Sequence, residues 1–156
     1  METLGLGLFF EDATVGRQFK TIGRTITEAD IINFVTCTGM TEVLFVNYEF
    51  QEEESVLKGR VVPGALVYCF MEGLLVQCSM QHTGFAFLEM EYKVHGPTVA
   101  GDTLHCEVEV LEARRSKSRP HTGIVKTRNR VLNQRGELVL EYTPTRMVHA
   151  RTDGTH

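Results

Sequence analysis

The chain changes its hydrophobic rhythm twice. Between Thr27 and Gly39 the apolar residues Ile31, Ile32, Phe34 and Val35 share one face at helical spacing. Thr27 can cap this helix, Asp30 sits near the positive end of its dipole, and Gly39 can close it in a left-handed conformation. Before it, Phe19 to Ile26 reads as a short strand. After it, Glu49 to Lys58 carries Glu52, Glu53 and Glu54 in a row and reads as a solvated short helix or loop. From about Gly64 to Gln81 the pattern predicts a long helix that is apolar nearly all round (Leu66, Val67, Phe70, Met71, Leu74, Leu75, Val76, Met80). A helix of that kind has to be enclosed by other structure.

From Ala86 onward the period becomes two. Ala86, Leu88, Met90, Tyr92 and Val94 alternate with Glu89, Glu91 and Lys93; Leu104, Cys106, Val108 and Val110 with His105, Glu107 and Glu109; Val125, Thr127, Asn129 and Val131 with Lys126, Arg128 and Arg130. Such alternation predicts antiparallel strands solvated on one face. Asn133-Gln134-Arg135-Gly136 turns into a last strand, Glu137 to about His149, and residues 151–156 are expected to fray. The order is strand, helix, long central helix, then about four strands. Its economical solution is an α+β hot-dog domain, one curved antiparallel sheet wrapped around one long helix. Its open sheet edge predicts a homodimer, or a higher homo-oligomer built of dimers.

Composition narrows this picture without redirecting it. A length of 156 residues, 42% of them hydrophobic and 23% charged, suits one domain over residues 1–156 with a core at about 9–149. A net charge of −4 argues against a nucleic-acid partner. The most apolar run, Val61 to Met80, contains Pro63, Gly64, Glu72 and Gln77, so a buried helix is expected there and not a membrane span. The N-terminus has Glu2 and no basic region of the kind that opens a secretory signal. Cys37, Cys69, Cys78 and Cys106 form no Cys-x-x-Cys pair, which predicts buried free thiols in a reducing cytoplasm. None of the six histidines (82, 95, 105, 121, 149 and 156) pairs at metal-ligand spacing, and no metal is expected. His82 and His95 are expected at the surface.

Several segments carry a resemblance. They are Phe10-Glu11-Asp12-Ala13-Thr14-Val15-Gly16, Gly23 to Phe34, and Gly101-Asp102-Thr103-Leu104. In this order and spacing, over roughly Phe9 to Val148, the chain resembles the MaoC-like dehydratase family, which includes the R-specific enoyl-CoA hydratases. The family's motif Gly-Asp-x-Asn-Pro-(Ile/Leu)-His stands here as Gly39-Met40-Thr41-Glu42-Val43-Leu44-Phe45. Met40 replaces the acid and Phe45 the histidine, and neither transfers protons. The His-Gly that opens the family's central helix is Pro63-Gly64 here.

The resemblance implies an acyl-CoA thioester as substrate, with coenzyme A arriving as part of it and no separate cofactor. It also implies that backbone N–H groups near Gly64 and Ala65 polarise the thioester oxygen. Glu42, two residues beyond the lost acid, is the candidate catalytic carboxylate; a surface or interface glutamate is the equal alternative. Met40 and Phe45 would line an acyl pocket. Asn47 would orient water or thioester, or simply form a turn, and Pro63 would stiffen the start of the helix. Arg114, Arg115, Lys117 and Arg119 could meet the phosphates of coenzyme A, or form a solvated hairpin. No aromatic side chains are interleaved there for nucleic-acid stacking. Three activities stay open: a hydratase or dehydratase with an altered acid/base set, an acyl-CoA thioesterase, and a non-catalytic acyl-CoA-binding or partner subunit.

Overall fold

The computed structural model describes residue 1 and residues 3–152. A 3₁₀ turn, Phe10–Asp12, precedes two short strands, β1 (Gln18–Lys20) and β2 (Arg24–Thr25). Three helices follow, α1 (Glu28–Thr38), α2 (Val43–Val46) and α3 (Tyr48–Glu53), and then the long α4 (Gly64–Ser79). Four long strands complete the chain: β3 (Gly84–Val94), β4 (Thr103–Arg115), β5 (Thr122–Leu132) and β6 (Leu138–His149). The antiparallel sheet runs β1-β4-β5-β6-β3, with β2 also paired to β4. Leu66, Val67, Met71, Leu74 and Leu75 of α4 pack with Leu104, Cys106 and Val108 of β4, Val131 of β5 and Leu140 and Tyr142 of β6 to form the core. This is the hot-dog arrangement that the change of period predicts.

Thr27 and Asp30 cap α1 reciprocally, and Gly39 ends it at φ 72°. The predicted strand from Phe19 to Ile26 is two pieces. Thr21 interrupts it by turning its hydroxyl onto the Cys106 N–H, a bond that replaces a ladder contact. The four apolar residues of α2, too few to show a period, had no predicted element.

Two expectations about burial are corrected. Only Cys106 is buried; Cys37, Cys69 and Cys78 are exposed. Cys69 lies with Ala65, Gly73, Val76 and Gln77 on a face of α4 that this chain leaves uncovered, so the helix is enclosed on one side only. Cys106 points into the core, and burial pushes its thiol up to about 12, which leaves it protonated and inert. His82 and His95 are exposed as expected, while His156 and Glu2 lie outside the described residues.

One buried carboxylate fastens the sheet to the loop before it. Asp102 is 2% exposed and accepts from the Val99 N–H (3.0 Å), the Gln134 amide (2.9 Å) and Arg135 (3.2 Å). Burial by itself pushes this carboxyl up, but the three donors more than offset it and hold it below the ordinary range. Because the folded value is depressed, the stabilisation is present above the unfolded value of about 4 and is lost as pH falls through the folded value. Asp102→Asn is expected to cost about 1.5–3 kcal/mol at neutral pH. In urea titrations across pH, the gap between variant and wild type should close in acid. A gap that stays constant would contradict this account.

Candidate active site

The start of α4 opens into an apolar groove of about 300 Å³. Phe45 of α2, Pro63 and Gly64 at the helix start, Val67 one turn on, Val94 at the end of β3 and Leu140 of β6 are among the residues that line it. Phe45 is held from behind. Arg60 donates to the Phe45 carbonyl and, through Nε at 2.8 Å, to both oxygens of Glu28 on α1, while Tyr48 donates to the same Glu28 at 2.8 Å. Gln51 is buried and donates to the Leu44 carbonyl. The stretch between α1 and α4 is therefore tied to α1.

At the first turn of a helix the leading N–H groups have no carbonyl one turn back. Leu66 and Val67 turn to the Pro63 carbonyl (2.9 and 3.3 Å), but Gly64 and Ala65 find no backbone acceptor among the described residues. Tyr92 of β3 closes over this point: a Cβ added at Gly64 would come within 2.9 Å of its hydroxyl and 3.7 Å of a Val94 methyl. Burial pushes the Tyr92 phenol up, with a further push from Cys69, so it stays a neutral hydrogen-bond donor. Two backbone N–H groups without a backbone acceptor and one phenol thus lie at the start of α4, where Gly64 borders an apolar groove. Such a set can hold a carbonyl oxygen and an acyl chain.

The structure brings Phe45, Pro63 and Gly64 together in this groove. Glu42, Met40, Asn47 and Ala65 are exposed and are not among its lining residues. Glu42 caps α2, accepting from the Leu44 N–H at 2.7 Å, and Asn47 caps α3, accepting from Phe50 at 3.1 Å. No group of His, Cys, Asp and Glu residues among the described residues could hold a metal ion. The basic residues lie at the other end of the sheet, near the β4–β5 turn: Arg115 pairs with Glu11 at 2.6 Å, and Arg119 lies over the Phe85 ring.

Sequence reasoning missed two features. Tyr92 was legible only as an inward strand position; its meeting with Gly64 depends on long-range packing. The second is a polar cluster beneath the groove. Glu72 accepts from both Tyr142 (2.8 Å) and Arg146 (2.6 Å to each oxygen), and Tyr68 stacks edge-on against both Tyr142 and Tyr92. The lone acid in an otherwise apolar helix was the available signal, since a buried carboxylate needs a partner.

Residues 13–142 match the model of the FAS1-like dehydratase domain region. A MaoC-like dehydratase from Rhodospirillum rubrum is 30% identical, over 94% of this chain and 99% of that one, and superposes with a TM-score of 0.82. The chain belongs to the MaoC-like dehydratase family. An R-hydratase from Pseudomonas aeruginosa, 20% identical over 94% of this chain and 88% of its own, shares the fold with a TM-score of 0.76. So does one half of a Mycobacterium tuberculosis protein with a double hotdog fold: 21% identity, 96% of this chain, 46% of that one, TM-score 0.85. No curated protein matches the sequence. No helix among the described residues is long and apolar enough to cross a membrane.

Proposed function

We propose that this member of the MaoC-like family acts on an acyl-CoA thioester as a hydratase or dehydratase with an altered acid/base set. The observation that carries the reading is the start of α4, where the Gly64 and Ala65 N–H groups have no backbone acceptor among the described residues, Gly64 lines an apolar groove, and the Tyr92 hydroxyl lies against Gly64. The thioester oxygen sits at the helix start, where the N–H groups stabilise the charge that grows on it as the α carbon loses or gains a proton. The acyl chain lies against Phe45, Val67 and Leu140. Glu42 supplies the proton-transfer carboxylate, since its one hydrogen bond among the described residues is a cap at an exposed helix end two residues before Leu44, which lines the groove.

A second copy of the chain fits the uncovered edge. β3 is an edge strand, and Phe85, Phe87, Leu88, Met90, Tyr92 and Val94 are each more than a third exposed. Antiparallel pairing of two β3 edges satisfies both rows of backbone groups. It also turns the Gly84 end of one copy, where Arg119 lies, toward the Val94 end of the other. The basic hairpin then approaches the groove of its neighbour, where coenzyme A phosphates would need it. The exposed free thiols suit a reducing cytoplasm.

One observation favours a non-catalytic reading: none of the groove's lining residues is an Asp, Glu, His or Cys. A panel of trans-2-enoyl-CoAs and saturated acyl-CoAs, followed for enoyl absorbance and thiol release, separates the cases. The lyase reading expects enoyl loss without thiol, and a drop of about 100- to 10,000-fold in kcat for Glu42→Gln at unchanged affinity. Thiol release would indicate a thioesterase. Tight acyl-CoA binding with no turnover, indifferent to Glu42→Gln, would make the chain a binding partner.

A further inference from the structure

The open edge of the sheet carries its own instructions for how a second copy would dock. From Glu89 to Val94, β3 pairs with β6 without a register shift. The His95 N–H donates to the Val139 carbonyl at 2.9 Å. In an antiparallel ladder only every second residue bonds to a given neighbour, so Lys93, Glu91 and Glu89 also turn their backbone groups to β6, opposite Glu141, Thr143 and Thr145. Pro144, which has no N–H to give, stands opposite Met90, at one of the intervening positions. The backbone groups of Met90, Tyr92 and Val94 therefore point out of the sheet edge.

The side chains of the strand divide by the same count. Tyr92 and Val94 stand opposite Tyr142 and Leu140 of the core, so the even positions face the α4 side. Glu89, Glu91 and Lys93 occupy the other face. All three are exposed, and none enters an ion pair among the described residues.

Paired residues of an antiparallel ladder share a face, so a two-fold pairing of β3 with its copy has its axis at one residue. The facing charges then separate the choices, because opposite charges support a strand pair and like charges oppose it. An axis at Met90 sets Glu89 against Glu91 of the second copy, twice. An axis at Glu91 or at Lys93 sets that residue against itself. An axis at Tyr92 sets Glu91 against Lys93 twice and Glu89 against His95 twice, with no like pair. On the α4 side it sets Met90 against Val94 and Tyr92 against Tyr92. Centres nearer the ends meet the register shift after Phe87 or the end of the strand at Val94.

We propose that two copies of this chain pair through β3 about a two-fold axis at Tyr92, held in register by Glu91 of each copy facing Lys93 of the other. This rests on the pairing of two β3 edges and fixes its register. It brings together at the axis the two Tyr92 residues, each with its hydroxyl against the Gly64 of its own chain.

The test is sedimentation equilibrium of the full chain and of charge variants, each checked for fold by circular dichroism. The wild type is expected to dimerise. Glu91→Lys and Lys93→Glu should each weaken self-association by about 10- to 100-fold, since two attractive facing pairs become repulsive. The double variant Glu91→Lys with Lys93→Glu should restore the wild-type dimer. An equimolar mixture of the two single variants should form a heterodimer of wild-type strength, because every facing pair is again opposite in charge. A wild type that stays monomeric at all concentrations overturns the edge pairing and the register together. A dimer indifferent to both single variants uses another surface. A dimer strengthened by Glu91→Lys has its axis at Met90, and a double variant that fails to recover has its axis at Glu91; either overturns the register alone. None of these readouts involves acyl-CoA, so each stands apart from the fate of the proposed reaction.

Discussion

Arg146→Ala is expected to cost about 3–5 kcal/mol of folding stability, a large share of what a domain of this size has in reserve. The magnitude follows from what is left behind. Glu72 would stay on the half-buried flank of α4 with the Tyr142 hydroxyl as its remaining partner, its side chain 18% exposed and that of Arg146 only 11%. Burial drives the Tyr142 phenol far above its usual range, so it can donate to the carboxylate but not neutralise it. A surface ion pair would be worth a fraction of this. The double variant Glu72→Gln with Arg146→Met should recover most of the loss, because removing both charges leaves no uncompensated ion. Urea unfolding of the three proteins decides the matter. A single-variant loss below about 1 kcal/mol would mean that water reaches Glu72 freely.

Gly64→Val is expected to weaken acyl-CoA binding by about 100-fold, or roughly 2.7 kcal/mol, with little change in thermal stability. Space at this point is fixed from two sides. The new Cβ meets the Tyr92 hydroxyl at 2.9 Å, so the phenol must swing away and the added methyl groups take the place proposed for the thioester oxygen. Gly64→Ala should lie between wild type and Val. Calorimetry with a saturated acyl-CoA reads the effect. Unchanged affinity in Gly64→Val would move the thioester away from the start of α4.

The elements that sequence reasoning placed well are those whose signals are local. Thr27, Asp30 and Gly39 mark both ends of α1 within a dozen residues. The alternation of Leu104, Cys106, Val108 and Val110 is the inward face of β4, because the strand pairs with β5 from His105 to Val110 without a register shift and keeps its pleat there. On β3 the alternation held in sequence but not in burial. It is an edge strand with register shifts after Gly84 and Phe87, so even Leu88, read as inward, is half exposed. That Pro63, Gly64 and Phe45 would meet in one groove was legible where backbone and chain order sufficed. The rest of the site was not legible where side chains choose between tasks. Glu42 and Asn47 are polar residues in a loop, and the short helices that follow them recruit both as caps, which no periodicity in four or six residues could announce. Tyr92 and the Glu72 cluster join residues far apart in the chain, and only the folded sheet brings them together.

The N-terminal segment, which Glu11 ties to Arg115, also bears on how this chain can be rewired. Through the Arg151 pairs to Glu11 and Asp12, the residues that follow β6 lie against those that precede β1. A short linker could therefore join the segment before β1 to the one after β6, and the chain could be reopened at the Asn133–Gly136 turn without dividing any strand. Such a circular permutant would begin at β6 and keep every strand pairing.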